Sequence, residues 1–441
     1  MESARLQRIL NLGLPIMGGM ISQSVLNLVD TAMVGALNDP NALASVGIGS
    51  FVNFISIALI MSLGISVQAM VARRMGENRQ DVAAHPLNSG IVLALLVGLP
   101  LTLICLHYSP YILRIFSDNP DVIRTGTEYY NYRVLGIIAV GLNFSFRGYW
   151  NGIDRSIIYL KTILLVHLSN IILSYGLIYG KFGFSEMGAV GAGVGTTVSL
   201  YLGAAMLLFI TLRQGGVHGF AREFPSMDTF RSLLKLAVPN SLQQLLFALG
   251  VTTFFWIISQ IGLNELAISH VLINLSLALI LPGMGLGQAS TTLVSQALGK
   301  RNYDDAHQWA WDVVKVALVL LLLMASPMLL IPDATLSLFV STPALIDLGH
   351  YALQIIGLCV LFDSIVLVLS QSLLGAGDSK NVFKVTVSVQ WLFTLPLAWL
   401  FGPVLGFGLA GAWCAQFLQR VVATTIYIRL WNQRKWTSIK I

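Results

Sequence analysis

The sequence has few charged side chains. Asp, Glu, Lys and Arg make up 10% of its 441 residues, whereas a soluble globular protein carries roughly 25%. Hydrophobic residues make up 56%, and the mean hydropathy is +0.76. A soluble chain of this length cannot cover its surface with so few charges, and a disordered chain needs far more polarity. The composition therefore predicts an integral membrane protein.

Cysteine is also scarce. The three cysteines lie apart in apolar stretches and form no CxxC pair; they are Cys105, Cys359 and Cys414. This spacing indicates neither a zinc site nor a disulfide framework. No HExxH, GxSxG or Walker sequence is present, so zinc proteolysis, serine hydrolysis and ATP-driven pumping are unsupported. We therefore expect no enzyme activity, no metal site and no cofactor.

One short match to an enzyme motif carries little weight. Gly375–Asp378 contains the GxGD pattern of intramembrane aspartyl proteases, with Asp363 as a candidate second acid. The segment lies at a basic loop, and it recurs earlier in the chain as Asn151–Asp154. The recurrence favours a turn between two helices.

Twelve apolar segments are long enough to cross a bilayer, for which a helix needs about 20 residues. They predict an all-α protein with transmembrane helices near residues 7–36, 42–72, 86–108, 122–150, 157–180, 187–212, 230–261, 264–297, 307–330, 344–374, 381–402 and 406–431.

Lys and Arg residues are concentrated in alternate loops. With the amino terminus placed in the cytoplasm, the inside segments hold 19 of these 26 residues and the outside segments hold 3. Short cytoplasmic loops are enriched in Lys and Arg, so the asymmetry predicts that both termini are cytoplasmic. We expect a multi-pass protein of the cell inner membrane. A net charge of +6 fits this topology without a nucleic-acid partner.

Motifs of the first half recur in the second half in the same order, at offsets between 220 and 224 residues. The pairs include Leu14–Pro15 with Val238–Pro239, Met75–Asp81 with Leu298–Asp304, Asn151–Asp154 with Gly375–Asp378, and Gly188–Ala192 with Gly408–Ala412. Each half contains six helices, so both enter the membrane from the same side and are related by an axis along its normal. We predict two pseudo-symmetric six-helix bundles: an N-lobe over 1–215, a cytoplasmic linker over 216–229 and a C-lobe over 230–441.

Two acids lie deep within apolar helices, Asp30 and Asp363. A charge at the bilayer centre costs at least about 2.5 kcal/mol, and such residues usually face a bundle interior or a wet cavity. Function is therefore the first hypothesis for both acids. The alternative is a neutral acid that only forms a hydrogen bond between helices.

Two polar stripes follow a helical spacing. The stripe on the first helix comprises Gln23, Asn27 and Asp30, and the stripe on the fifth helix comprises His167, Asn170 and Ser174. Residues spaced in this way share one face of a helix, so the stripes predict a common internal pocket. Hydrogen bonding between packed helices is the alternative for both. Tyr130 on the fourth helix is a further candidate for the pocket, with core packing as its alternative.

These residues resemble the multidrug and toxic compound extrusion (MATE) transporter family over essentially the whole chain. The resemblance is carried by Leu14–Pro15, Asn27–Gly35, the stretch from Gln68 to Gly76 with its repeat Ser295–Gly299, and Gly191–Thr196. The Val29–Thr31 core resembles the DNA-damage-inducible-protein branch in particular.

The resemblance implies twelve helices in two lobes and efflux of cationic, amphiphilic drugs or other toxic organic compounds in exchange for protons or sodium. It implies that Asp30 is the coupling acid, assisted by Asn170 on the fifth helix and Thr196 on the sixth. Ser174 stands where the family has an Asp. This departure removes a negative charge and weakens a sodium site built from hard oxygen ligands.

Asp363 matches a family acid on the tenth helix. Sodium-coupled members pair that acid with a glutamate on the seventh helix and with a tyrosine; the seventh helix here has no acid, and Cys359 stands about where the tyrosine would be. Proton coupling through Asp30 is therefore preferred, with sodium coupling left open.

A flippase for a lipid-linked precursor is another alternative. Such proteins carry a strongly basic cavity, and here Arg133 and Arg147 are the basic residues that would fit one. We expect a monomer in the bilayer that binds small-molecule substrates and protons.

Overall fold

The computed structural model describes residues 2–222, 225–340 and 342–441. Glu223 and Phe224, which belong to the predicted cytoplasmic linker, lie outside the described residues, as do Met1 and Ser341. Across the described ranges the chain forms helices and connecting turns, with no β-strand.

Twelve membrane-length helices can be traced through the described residues, and they confirm the twelve predicted spans. We number them α1 (Ser3–Gly35), α2 (Pro40–Met61, continuing as Leu63–Gly76), α3 (His85–Arg114), α4 (Pro120–Leu135, continuing as Ile137–Gly152), α5 (Ser156–Tyr179), α6 (Ala189–Gln214), α7 (Met227–Ser259), α8 (Leu263–Gly299), α9 (Tyr303–Leu330), α10 (Pro343–Ala376), α11 (Ser379–Val404) and α12 (Gly408–Asn432).

Ten of these helices are long and apolar enough to cross a membrane by composition alone. The other two are α4 and α12. Helix α4 is divided at Gly136 into segments of 16 residues each, and neither reaches the length of a span by itself. Helix α12 has Arg420 and Arg429 among its apolar residues.

Local sequence explains where several helices begin. Proline stands in the first turn of α2, α4 and α10, where its missing N–H costs nothing because that N–H has no partner within the helix. The Asp39 side chain caps α2 by accepting from the Asn41 N–H at 2.9 Å. Asn119 caps α4 in the same way, accepting from the Asp121 N–H at 3.0 Å.

The chain forms two compact units. The unit called here the N-unit comprises Gly18–Ser241 with Ile441, and the C-unit comprises the described residues up to Met17 with Leu242–Lys440. The boundaries therefore lie inside α1 and α7 and differ from the predicted linker at 216–229. The physical reason is that the first half of α1 packs on helices of the second repeat, and the first half of α7 packs on helices of the first.

The two exchanged helix halves make equivalent contacts. In the C-unit, a Cβ built on Gly285 would lie 2.9 Å from the Cα of Met17. In the N-unit, the hydroxyls of Ser62 and Ser241 are 2.6 Å apart. Met17 and Ser241 correspond in the repeat, as do Ser62 and Gly285. The same pair of positions therefore meets once in each unit.

Each unit has its own hydrophobic core. In the N-unit the largest fully buried side chains include Trp150, Tyr149 and Phe146, all on α4. In the C-unit the rings of Phe254 and Trp413 pack edge to face at 5.9 Å. Burial of these large rings within each unit fixes the positions of the helices that carry the polar residues.

Candidate functional site

Helices α1 and α5 lie side by side in the N-unit. At one end of the contact, a Cβ built on Gly18 would lie 3.4 Å from Leu160. At the other end, the Tyr179 hydroxyl donates a hydrogen bond to the Met33 carbonyl at 2.5 Å. Residue numbers rise together along the two helices, so α1 and α5 run parallel.

The two predicted polar stripes meet between these contacts. His167 Nε2 lies 3.3 Å from Gln23 Oε1. Paired residues differ by 144 positions there and by 146 at the Met33–Tyr179 contact. Ser174, which is 144 positions after Asp30, therefore lies level with Asp30 along the two helices. The structure thus brings both stripes to one interface, although it shows no direct bond between Asp30 and Ser174.

Several polar atoms at this interface already have partners. Ser174 donates to Asn170 Oδ1 at 3.0 Å, and Gln23 donates to Asn27 Oδ1 at 3.2 Å. Asn170 and Ser174 are buried, whereas Gln23 and Asn27 are exposed.

Other polar atoms of the same cluster have none. Asp30 Oδ1, Asn170 Nδ2 and His167 Nδ1 are buried and lack a hydrogen-bond partner among the described residues. Asp30 makes no ion pair within 4.0 Å in that part of the chain; Arg133 acts on its charge from farther away. An unpaired buried polar group is costly, so a proton, a cation or a polar substrate atom would be stabilised here.

Helix α6 also contacts this polar cluster, at Ser174. A Cβ built on Gly195 would lie 2.5 Å from the Ser174 hydroxyl oxygen, so α6 can approach Ser174 this closely only because residue 195 is glycine. The neighbouring Thr196 is half-buried and donates its hydroxyl hydrogen to the Ala192 carbonyl at 2.8 Å. Thr196 therefore lies on a helix that contacts the cluster, but its hydroxyl hydrogen is already bonded to a carbonyl within α6.

Tyr130 does not fit the pocket prediction. Its side chain is fully buried in the core of the N-unit, and its hydroxyl lies 2.7 Å from the Ser56 hydroxyl. Cys105 packs against the same Ser56. The aromatic residues of α4 do not show from sequence alone which side of the helix faces the core. Because the Tyr130 side chain faces the core, direct contact between Tyr130 and a substrate is not supported.

Asp363 lies in the C-unit, where it is bound to a cation. Arg420 Nε on α12 donates to both carboxylate oxygens, at 3.0 and 3.1 Å. The same guanidinium donates through Nη1 to the carbonyl and side-chain oxygens of Gln416. Arg420 is a site residue that sequence reasoning missed. The sequence could have indicated this role, because Arg420 lies in an apolar helix and a charge inside the membrane needs a partner.

The fold and these buried polar clusters together define a class of protein. Twelve membrane-length helices with an internal sequence repeat and with polar groups held between packed helices are the architecture of a secondary membrane transporter.

The family follows from sequence comparison. The MatE family profile matches residues 15–176 and, a second time, 239–400. The chain belongs to the MatE family, and the double match agrees with the internal repeat. The predicted assignment to MATE transporters is confirmed, while the finer branch stays a prediction.

Individual relatives cover nearly the whole chain. A probable multidrug resistance protein NorM from Thermotoga maritima is 26% identical over 98% of this chain and 93% of its own length. A multidrug resistance protein MdtK from Yersinia pseudotuberculosis is 24% identical over 98% of this chain and 96% of its own length.

Solved structures show the same fold. An outward-facing multidrug resistance MATE family transporter of the MOP superfamily superposes with a TM-score of 0.91 at 21% identity, covering 99% of this chain and 97% of that one. A MOP superfamily transporter from Pyrococcus furiosus, described as having a binding pocket of reversed polarity, gives 0.87 at 23% identity, covering 98% and 96%.

Proposed function

We propose that this protein is an antiporter that exports cationic, amphiphilic drugs or other toxic organic compounds in exchange for protons. The observation that carries the proposal is the half-buried Asp30, which has an unpaired carboxylate oxygen and lies beside the polar residues of α5. The multidrug resistance relatives and their coverage of the whole chain support the same function.

The chemistry of Asp30 suits an exchange of a cation for a proton. The ionised carboxylate attracts an organic cation, and this attraction is strong because the surroundings are poorly solvated. A proton arriving from outside neutralises the carboxylate, and the attraction to the cation is lost. One proton moving down a potential of 100 mV supplies about 2.3 kcal/mol, enough to bias the cycle in one direction.

Two features support protons over sodium as the coupling ion. Ser174 stands where the resemblance to the family implies an Asp, so the N-unit cluster offers one acid instead of two. In the C-unit, Asp363 already has Arg420 as its counter-charge, and a second cation would compete with that guanidinium. Sodium binds best to several oxygen ligands that carry negative charge, and neither cluster concentrates them.

Transport in proteoliposomes with separately imposed pH and sodium gradients tests the proposal, with ethidium as the transported cation. We expect the pH gradient alone to drive ethidium movement by the wild type. Asp30→Asn keeps the shape of the side chain and removes its titration, so we expect pH-driven movement to fall to the level of empty liposomes.

Asp39→Asn is the matched control, because Asp39 is an exposed acid that caps α2 and asparagine caps a helix equally well. We expect this variant to retain wild-type transport. Full transport by Asp30→Asn would refute the role of Asp30, and transport driven only by the sodium gradient would replace protons with sodium.

A flippase for a lipid-linked precursor remains the second candidate. It is favoured by Arg133 and Arg147, which lie in the N-unit and form no ion pair within the described ranges. The same liposomes separate the two functions, because a flippase would move a fluorescent lipid-linked precursor and leave ethidium in place.

A further inference from the structure

Arg147 is a half-buried cation that the proposed mechanism does not use. It lies on α4 within the N-unit, with its guanidinium carbon 4.3 Å from the centre of the Phe144 ring. The Tyr159 hydroxyl of α5 interacts electrostatically with the Arg147 guanidinium. In the described part of the chain, no carboxylate lies within 4.0 Å of this guanidinium, which is unusual for a charge inside a membrane protein.

Two other arginines in spanning helices do have acidic partners. Arg5 Nε lies 2.7 Å from a carboxylate oxygen of Asp312, and Arg420 Nε lies 3.0 Å from Asp363. Both of these pairs belong to the C-unit. The fold therefore neutralises those two cations with its own side chains and leaves Arg147 without one.

The repeat shows that packing does not require a charge at this position. Arg147 corresponds to Gln371 in the second half, and Gly64 corresponds to Gly287. A Cβ built on Gly64 would lie 3.1 Å from an Arg147 Nη atom, and one built on Gly287 would lie 2.9 Å from the Gln371 Cγ. A long polar side chain thus lies against a glycine in each unit, charged in one and neutral in the other.

We propose that Arg147 binds a single oxyanion group, a carboxylate or a phosphate, carried by an amphiphile. A guanidinium presents donors in a planar fork that matches either group, and the Tyr159 hydroxyl offers one more donor. The proposal rests on the proposed transport function and extends its substrate class to zwitterions and anions. The same chemistry would hold the phosphate of an anionic lipid.

Binding of two matched dyes tests the proposal. Rhodamine 123 is the methyl ester of rhodamine 110, so the two molecules differ by one carboxylate. We expect Arg147→Gln to weaken rhodamine 110 binding to the purified protein by about 10- to 100-fold, the loss typical of one hydrogen bond to a charged group. Rhodamine 123 binding should change by less than about threefold, because it has no carboxylate to lose.

Two variants control for effects on the fold. Arg147→Gln introduces the residue of the equivalent position, so the protein should remain monodisperse with an unchanged melting temperature. Arg147→Lys keeps the positive charge and should retain most of the preference for rhodamine 110. In Gln371→Met the equivalent side chain of the C-unit loses its polar group, and both dyes should bind as to the wild type.

A lipid arm identifies the source of the oxyanion. Native mass spectrometry in nanodiscs containing phosphatidylglycerol would show one bound lipid fewer in Arg147→Gln if the ligand is a headgroup, and then neither dye affinity would change. Equal weakening of both dyes, or no change in dye binding and lipid count, would overturn the proposal. A loss of transport in Asp30→Asn does not enter this comparison, so failure of either proposal can be recognised separately.

Discussion

At Asp363 the negative charge is matched by a single guanidinium. The side chains of Asp363 and Arg420 are only 16% and 14% exposed, so the pair is poorly solvated. Removing one partner of such a pair leaves the other charge buried without compensation, which costs about 3 kcal/mol. Replacing both partners with neutral side chains of similar size is far less costly.

We therefore predict that Asp363→Asn lowers the melting temperature of the detergent-purified protein, measured by heating followed by size-exclusion chromatography. The double variant with Arg420→Met should recover most of the loss. If that double variant also retains pH-driven ethidium transport, Asp363 is not the coupling acid. Equal melting temperatures for the wild type and Asp363→Asn would contradict the importance of the pair for stability.

The polar residues of the site differ in how far sequence alone could place them. Periodicity predicted the stripes at Gln23 and His167, and the structure brings those two side chains together. The inward face of Tyr130 and the partner of Asp363 depend on which helices become neighbours. Such contacts join residues far apart in the chain and leave no local signal.

At the scale of the helix, the approach of α6 to α5 depends on Gly195. A Cβ at this position would lie 2.8 Å from the backbone nitrogen of Ser174 as well as 2.5 Å from its hydroxyl oxygen. Backbone atoms cannot move aside as a flexible side chain can. Any larger residue must therefore push the two helices apart, with a cost of about 1–3 kcal/mol.

We predict that Gly195→Ala lowers both the melting temperature and pH-driven ethidium transport, because it displaces the helix that carries Thr196. Gly47→Ala in α2 is the control, since a Cβ there meets nothing within 4 Å. Alanine stabilises an open helical position by about 0.5–1 kcal/mol. Loss of transport in both variants, or in neither, would contradict the prediction.

At the scale of the whole molecule, the twelve helices and their repeat were predictable, because long apolar runs and recurring motifs can be read directly from the sequence. The boundaries of the compact units were not. They fall between Met17 and Gly18 and between Ser241 and Leu242, inside continuous helices. No local sequence feature shows the residue at which a continuous helix stops packing on one unit and starts packing on the other.

Both ends of the chain attach to the first turns of α9 within the C-unit. From the amino-terminal side, Arg5 pairs with Asp312 at 2.7 Å. From the carboxy-terminal side, Arg434 pairs with Asp304 at 2.6 Å, and the Trp431 indole donates to the His307 carbonyl at 3.4 Å. The start of α9 therefore holds together two segments that are more than 400 residues apart.

Trp436 anchors the tail beyond α12 within the C-unit. Its ring is 1% exposed and stacks on Trp431 at 4.2 Å, and its indole donates to the Trp431 carbonyl at 2.8 Å. Removing a buried tryptophan side chain typically costs about 3–5 kcal/mol. We predict that Trp436→Ala lowers the melting temperature and makes the residues after Asn432 accessible to carboxypeptidase.

Trp256→Ala is the matched control, because Trp256 is 57% exposed and its replacement should leave the melting temperature and the carboxypeptidase resistance unchanged. Equal carboxypeptidase resistance in wild type and Trp436→Ala would show that the tail is held without Trp436, by contacts such as the ion pair of Arg434.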